Sequence, residues 1–212
     1  MGGGLPERGM PRKVREEVAG GVFHVYARGN GKADIYVDDG DRQAYLQLLA
    51  AVVARFRWSC LAYCLMPNHV HLLVRTAEPN LGRGMQQLHG RYAQGFNRRH
   101  DRVGHVFQGR YGARTVASDE HLATAVAYVA TNPVAAGLVD EPDAWPWGSH
   151  RAIARGSVPA WLAADELFAL LRGAYGGDGR RRYEDLVAVR ATGRTVIASD
   201  VVAGAGDGSV VR

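Results

Sequence analysis

The sequence predicts an α+β fold, an antiparallel sheet with helices packed against it. Three observations lead to it. Val22–Arg28 and His69–Thr76 each alternate apolar with polar side chains, the pattern of a strand with one buried face. Residues 38–57, 81–100 and 118–133 instead repeat apolar residues every three or four positions, as amphipathic helices do. The resulting order (strand, helix, strand, turn, strand, helix, strand, helix) is that of an α+β sandwich.

In the first strand Phe23, Val25 and Ala27 share one face and His24, Tyr26 and Arg28 the other, and Gly29-Asn30-Gly31 closes it with turn chemistry. Asp38 or Asp39 caps the first helix, whose apolar stripe is Tyr45, Leu48, Leu49, Val52, Val53 and Phe56. Trp58–Met66 is an apolar, aromatic run of strand length, and Pro67-Asn68 is a turn pair. On the following strand Val70, Leu72 and Val74 point inward, and His69, His71 and Arg75 outward. A second helix covers 81–100, and 103–116 reads as a strand or hairpin bent at Gly104, Gly109 and Gly112. Ser118 or Asp119 caps the third helix, which runs through Leu122, Val126 and Val129 until Pro133 ends it. Beyond Trp145 the pattern weakens; 161–171 and 182–190 read as short helices, and the stretch from Thr192 has no clear period.

The 212 residues suffice for one domain with a substantial core, and 47% hydrophobic against 22% charged residues is an ordinary globular balance. No apolar run approaches the ~18–20 residues of a membrane-spanning helix. Residues 1–10 are Gly-rich and lack the apolar stretch of a signal peptide, so a cytoplasmic location is expected. Two cysteines, Cys60 and Cys64, cannot build a disulfide framework. The net charge of +5 is concentrated: seven arginines and one acid, Asp101, between Arg83 and Arg114 give that stretch +6 and leave the rest at −1. A basic block inside a folded domain is the footprint of a polyanionic partner, because neutralising phosphates releases counterions. A solvated helix face would look the same. Tyr92, Phe96, Phe107 and Tyr111 in this stretch could stack on unpaired bases or fill the core.

Chemistry points first to His69 and His71, which alternation places on one strand face, where two neutral imidazoles can hold a divalent ion and leave coordination positions open. Tyr128 and Asn132, four apart on the third helix, share a helix face and can approach the same ion if that helix packs beside the strand. A phenol with a pKa of about 10 needs a metal, a base or nearby positive charge to act as a nucleophile at neutral pH. Tyr92 and Tyr111 are its rivals. A Cys₂His₂ zinc site from Cys60, Cys64, His69 and His71 is the alternative use of the histidines, although the cysteines sit in a strongly apolar run. Nucleotide-binding, zinc-protease and serine-hydrolase motifs are absent from the sequence.

Taken together, MPNHVHLLV at 66–74, GHVFQGRY at 104–111, YVATNPVAAGLV at 128–139 and WPWGS at 145–149, with VFHVYARGN at 22–30, resemble the REP-associated tyrosine transposases, a group of single-tyrosine HUH transposases. The resemblance covers residues 11–155 and implies a ferredoxin-like HUH endonuclease fold. It places the metal ligands on His69 and His71, the nucleophile on Tyr128, and a further polar group near the metal on Asn132. It also implies Mg²⁺ or Mn²⁺ as cofactor and a bacterial, nucleoid-associated setting. The implied partner is single-stranded or hairpin DNA, cut through a 5′-phosphotyrosine. Either a monomer or a homodimer is consistent with it, since relatives serve the tyrosine in cis or in trans. Arg110, Arg91, Arg98 and Arg114 are the expected phosphate contacts, with Tyr111 beside them. The domain organisation expected is a disordered 1–10, a catalytic domain over 11–155, a helical extension over 156–191 and a disordered tail over 192–212. The function expected is metal-dependent cleavage and rejoining of single-stranded DNA. The alternative is a protein that binds hairpins without cutting them.

Overall fold

The structure, a computed structural model, describes residues 18–193. The segment 1–10 and nearly all of 192–212, both expected to be disordered, lie outside the described residues. Four strands form one antiparallel sheet: β1 (Val22–Arg28), β2 (Trp58–Met66), β3 (His69–Thr76) and β4 (Gly112–Thr115), in the order β2-β3-β1-β4. Pro67-Asn68 turns β2 directly into β3. β4 is much shorter than the 103–116 expected. Residues 103–111 form a loop that touches β1 only locally: Asn30 N–H donates to the Val106 carbonyl at 2.9 Å, and Gln108 N–H to the Arg28 carbonyl at 2.8 Å. The glycines in this stretch break the ladder rather than bend a continuous strand.

Helices α1 (Asp39–Phe56) and α2 (Leu81–Arg99) pack on each other and cover one sheet face. Asp38 caps α1, its carboxylate accepting from Asp41 N–H at 3.0 Å. Phe23, Val25, Val70, Leu72 and Val74 are buried on this side, and the Trp58 indole rests directly on Gly84 of α2. Arg99 at the end of α2 bonds to Asp38 at 2.7 Å and to buried Asp41 at 2.5 Å, tying the two helices together.

The other face is covered by α3 (Asp119–Ala135), which packs on β2 and β3. Ser118 is its cap, accepting from His121 N–H at 3.2 Å. Pro133 does not end α3, contrary to expectation. A proline in the last turn removes only its own N–H, and the helix continues to Ala135. Gly137 closes it with φ of +66°, and Leu138 N–H donates back to the Pro133 carbonyl at 3.0 Å. After a short α4 (Ser149–Ala154), α5 (Ala164–Tyr175) and α6 (Gly179–Ala191) complete this layer, α6 lying along α3. Both are longer than the 161–171 and 182–190 segments suggested. The outer edge of β2 is sealed by bridges from Gly148 to Cys64 and from Leu162 to Cys60. Among the described residues no helix is long and apolar enough to cross a membrane.

Candidate active site

His69 and His71 lie two apart on β3 and so project from the same side, the side that α3 covers. This face is not the wet one the alternation suggested: His71 is 7% exposed and Leu73 fully buried. Tyr128 and Asn132, one turn apart on α3, face the same strand. The Tyr128 ring stands edge-on to His71, centroids 5.1 Å apart at 87°. The Asn132 Oδ1 is 3.3 Å from His69 Nε2, and the His69 and His71 rings are 5.1 Å apart.

Two neighbours fix the imidazoles. The Asn68 amide donates to the Lys32 carbonyl at 3.1 Å, which turns its Oδ1 toward His69 Nδ1 at 2.7 Å. Of the two oxygens on this ring the Asn68 Oδ1 is the nearer, and the tautomer that donates to it from Nδ1 leaves Nε2 with a free lone pair. His24 on β1 plays the matching part for His71, its Nε2 lying 3.1 Å from His71 Nδ1. The His24 ring also meets Tyr128, centroids 5.7 Å apart. From the outer side, the Arg190 guanidinium of α6 lies 5.3 Å from the centre of the Tyr128 ring.

Electrostatics keep these rings neutral. Burial, then the neighbouring His24 and His69, brings the His71 pKa down to about 3. Burial, then His121 and Arg114, brings His24 to about 4. Burial lowers His69, with Arg28 acting in the same direction against the Asn132 contact. At neutral pH all three are therefore uncharged, as metal-binding imidazoles must be.

Two ring nitrogens here are open to a divalent cation. The His71 Nε2 is buried and has no hydrogen-bond partner. Across from it, the lone pair of His69 Nε2 faces the Asn132 carbonyl oxygen, an opposition that a shared cation relieves. The set is two imidazoles and an amide oxygen, without a carboxylate, and among the described residues no three His, Cys, Asp or Glu side chains cluster as a metal site. The zinc alternative is accordingly not formed: Cys60 and Cys64 are free and buried, and burial pushes both thiols up to about 12.

The other expected residues are not all brought here. Arg114 is exposed on β4, directly across from His24 in register, and Arg110 is exposed in the loop before β4. Arg91 and Arg98 are exposed on α2, in the helical layer across the sheet. Tyr111 is 7% exposed, a core residue rather than an available stacking surface, because the loop folds it inward. Tyr92, the rival nucleophile, is buried on the α1–α2 side, its hydroxyl donating to the Ile35 carbonyl and its ring packed on Tyr45. Sequence reasoning did not give Asn68 or Arg190 a role and placed His24 only on a strand face. Asn68 was legible only as a turn residue, and Arg190 lies in a weakly patterned region.

A family model described as "Transposase IS200 like" matches residues 18–132, which span β1 through Asn132. The chain belongs to the IS200-like transposase family. A curated Haemophilus influenzae protein named for the REP-associated tyrosine transposases is 27% identical over 124 residues, covering 53% of this chain and 68% of that protein. A solved structure of a REP-associated tyrosine transposase bound to a REP hairpin superposes with a TM-score of 0.60 at 18% identity, over 71% of this chain and 89% of that one. That likeness is one of fold: a four-stranded antiparallel sheet with packed helices. In this IS200-like transposase all of the residues meeting around His71 fall within the matched range, except Arg190.

Proposed function

We propose that this IS200-like transposase is a metal-dependent single-stranded DNA endonuclease and strand transferase that cuts beside hairpin DNA through a 5′-phosphotyrosine on Tyr128. The observation that carries the reading is the edge-on contact between the Tyr128 ring and His71, beside the His69–Asn132 pair. The solved relative's REP hairpin and the basic block of this chain favour hairpin DNA as the partner.

His69, His71 and Asn132 would hold Mg²⁺ or Mn²⁺. Bound there, the ion supplies Lewis-acid stabilisation of charge on the non-bridging phosphate oxygens. The Tyr128 hydroxyl attacks phosphorus in line; the new bond is Tyr Oη–P and the broken one is P–O3′. The proton lost by the phenol is balanced by the one gained by the departing 3′-hydroxyl. Because one phosphodiester replaces another, a 3′-hydroxyl from a second strand can reverse the attack, so rejoining needs no nucleotide triphosphate. Arg190, over the phenol, supplies positive charge at the nucleophile. Asn68 and His24 hold the two imidazoles in the ligating tautomer.

The test uses an end-labelled oligonucleotide with an imperfect hairpin and randomised single-stranded flanks, incubated with Mn²⁺. A covalent protein–DNA adduct is expected with the native chain and with Tyr92→Phe. Tyr128→Phe should abolish it while leaving hairpin affinity within about twofold, since a hydroxyl and no charge is removed. An adduct retained by Tyr128→Phe would sink the assignment.

A further inference from the structure

We propose that Tyr26, lying across Gly112, is a stacking platform for one unpaired nucleobase next to the scissile phosphate, with Arg114 and Arg28 flanking it as phosphate contacts. The proposal rests on the nuclease reading above and assigns the substrate-positioning surface of the same site.

Tyr26 lies on β1 between His24 and Arg28, on the sheet face that carries His71. Its strand neighbours Val25 and Ala27 are buried, yet Tyr26 is 39% exposed, the one aromatic among the exposed large hydrophobic side chains of the described residues. The ring is beside the histidines rather than flat upon them: its centroid is 6.5 Å from His71 and 6.0 Å from His24, at 43° and 57°. What supports it is backbone. A Cβ on Gly112 would fall 2.3 Å from the Tyr26 Cζ and 2.7 Å from its hydroxyl oxygen, so the outer half of the ring rests on β4 where only glycine leaves room. A ring backed by a strand and more than a third exposed can serve as a base-stacking surface, which tolerates any base because every base has a π-face.

The charges agree with this placement. Strand neighbours two apart share a face, so Arg28 projects on the same side as Tyr26, opposite His69 in the ladder. Arg114 projects there too, opposite His24, two residues beyond Gly112. Both arginines are exposed. An aromatic between two guanidiniums, at the rim of a site built to hold a phosphodiester, suits a single-stranded nucleotide whose base stacks while its two phosphates meet the cations.

The experiment uses a hairpin oligonucleotide with oligo-dT flanks, each flank position replaced in turn by an abasic site or by 2-aminopurine. In single-turnover adduct formation with Mn²⁺, Tyr26→Ala and Tyr26→Leu should be about 5- to 150-fold slower, the range expected for losing one stacked base. Tyr26→Phe, which keeps the ring, should match the native rate. One abasic position should slow the native chain by a similar factor and add little to Tyr26→Ala. In the Tyr128→Phe background, 2-aminopurine at that position should be quenched on binding, and the quench should be lost with Tyr26→Leu. Native rates for both Tyr26→Ala and Tyr26→Leu, an abasic penalty unchanged by them, or a Tyr26→Phe defect equal to theirs would each overturn the platform. If the native chain forms no adduct, the nuclease reading fails by itself, and the quenching arm still decides whether Tyr26 stacks on a base.

Discussion

Replacing His24 by leucine tests whether the candidate metal ligands are positioned by a partner behind them. His71 has two ring nitrogens with different surroundings: Nδ1 is 3.1 Å from His24 Nε2, and Nε2 is buried and unpartnered. A neutral imidazole has one N–H and one lone pair. For Nε2 to present its lone pair, the proton must stay on Nδ1, and an acceptor must sit there to hold it. His24 provides that acceptor when its own proton is on Nδ1. Leucine fills part of the space but accepts nothing, so His71 is free to turn or to change tautomer. Losing one neutral hydrogen bond is worth roughly 0.5–1.5 kcal/mol, about 2- to 12-fold in an equilibrium constant. Partners standing behind a metal-bound histidine typically carry 10- to 100-fold in metal affinity. The expected effect is therefore on the order of tenfold, and not less than a few-fold.

The assay is the Mn²⁺ dependence of adduct formation, paired with direct Mn²⁺ binding followed by electron paramagnetic resonance. His24→Leu should raise the half-saturating Mn²⁺ about tenfold, with a smaller effect on the rate at saturation. His24→Gln, whose Oε1 can accept from His71 Nδ1–H, should recover most of the affinity. Equal Mn²⁺ dependence in the native chain and His24→Leu would refute the reasoning, and so would a glutamine variant as weak as the leucine one, provided all three melt alike.

Two further outcomes follow from the same structure. His89, stacked on Phe107 at 4.1 Å with its Nε2 3.2 Å from the Tyr45 hydroxyl, has its pKa lowered by burial from 6.5 to about 4. The unfolded chain takes up this proton below pH 6.5 while the folded chain does not until about pH 4, so stability falls with acid across that window by up to ~3 kcal/mol; His24 and His71 act in the same sense, and His89→Gln should flatten the slope in urea titrations between pH 7 and 4.5 without removing it. The arginines separate by salt dependence of hairpin binding: each one that touches a phosphate should, as alanine, reduce the slope of log affinity against log salt by about one, so Arg110→Ala and Arg114→Ala, near the β4 edge, should show it, and an unchanged slope in both would remove the edge from the DNA path.

The sheet was legible because alternation marks β1 and β3 and an apolar run of strand length before a turn pair marks β2; all three have the expected bounds. β4 was not, since four residues hold too little pattern to separate a strand from the glycine-rich loop before it. Proline was given too much weight in α3, where what ends the helix is the left-handed Gly137. The pairing of strand histidines with helix Tyr128 and Asn132 could be expected from spacing and family resemblance, but contacts across elements could not. His24 meets His71 because β1 and β3 are neighbours, 47 residues apart in sequence, and Arg190 meets Tyr128 only because α6 lies along α3. The choice between stacking surface and core for Tyr111 was open in the sequence for the same reason: burial of a loop aromatic depends on how the loop returns, and here it is 7% exposed.

Under the nuclease proposal the sheet has a structural side and a chemical side, and the division bears on how DNA would lie. On the α1–α2 side, Tyr36, Tyr45 and Tyr92 pack ring against ring, and burial holds their hydroxyls well above the usual phenol range. A phenol in that state is a poor attacking group, which agrees with the proposal that the chemistry lies on the α3 side. The basic block respects no such division. Arg91 and Arg98 lie on α2, on the structural side, whereas Arg114 faces His24 on the chemical side. β4 is the edge strand next to β1, and the loop carrying Arg110 leads into it from α2. On that proposal, a hairpin that touches α2 and is cut at Tyr128 would pass over the β4 edge.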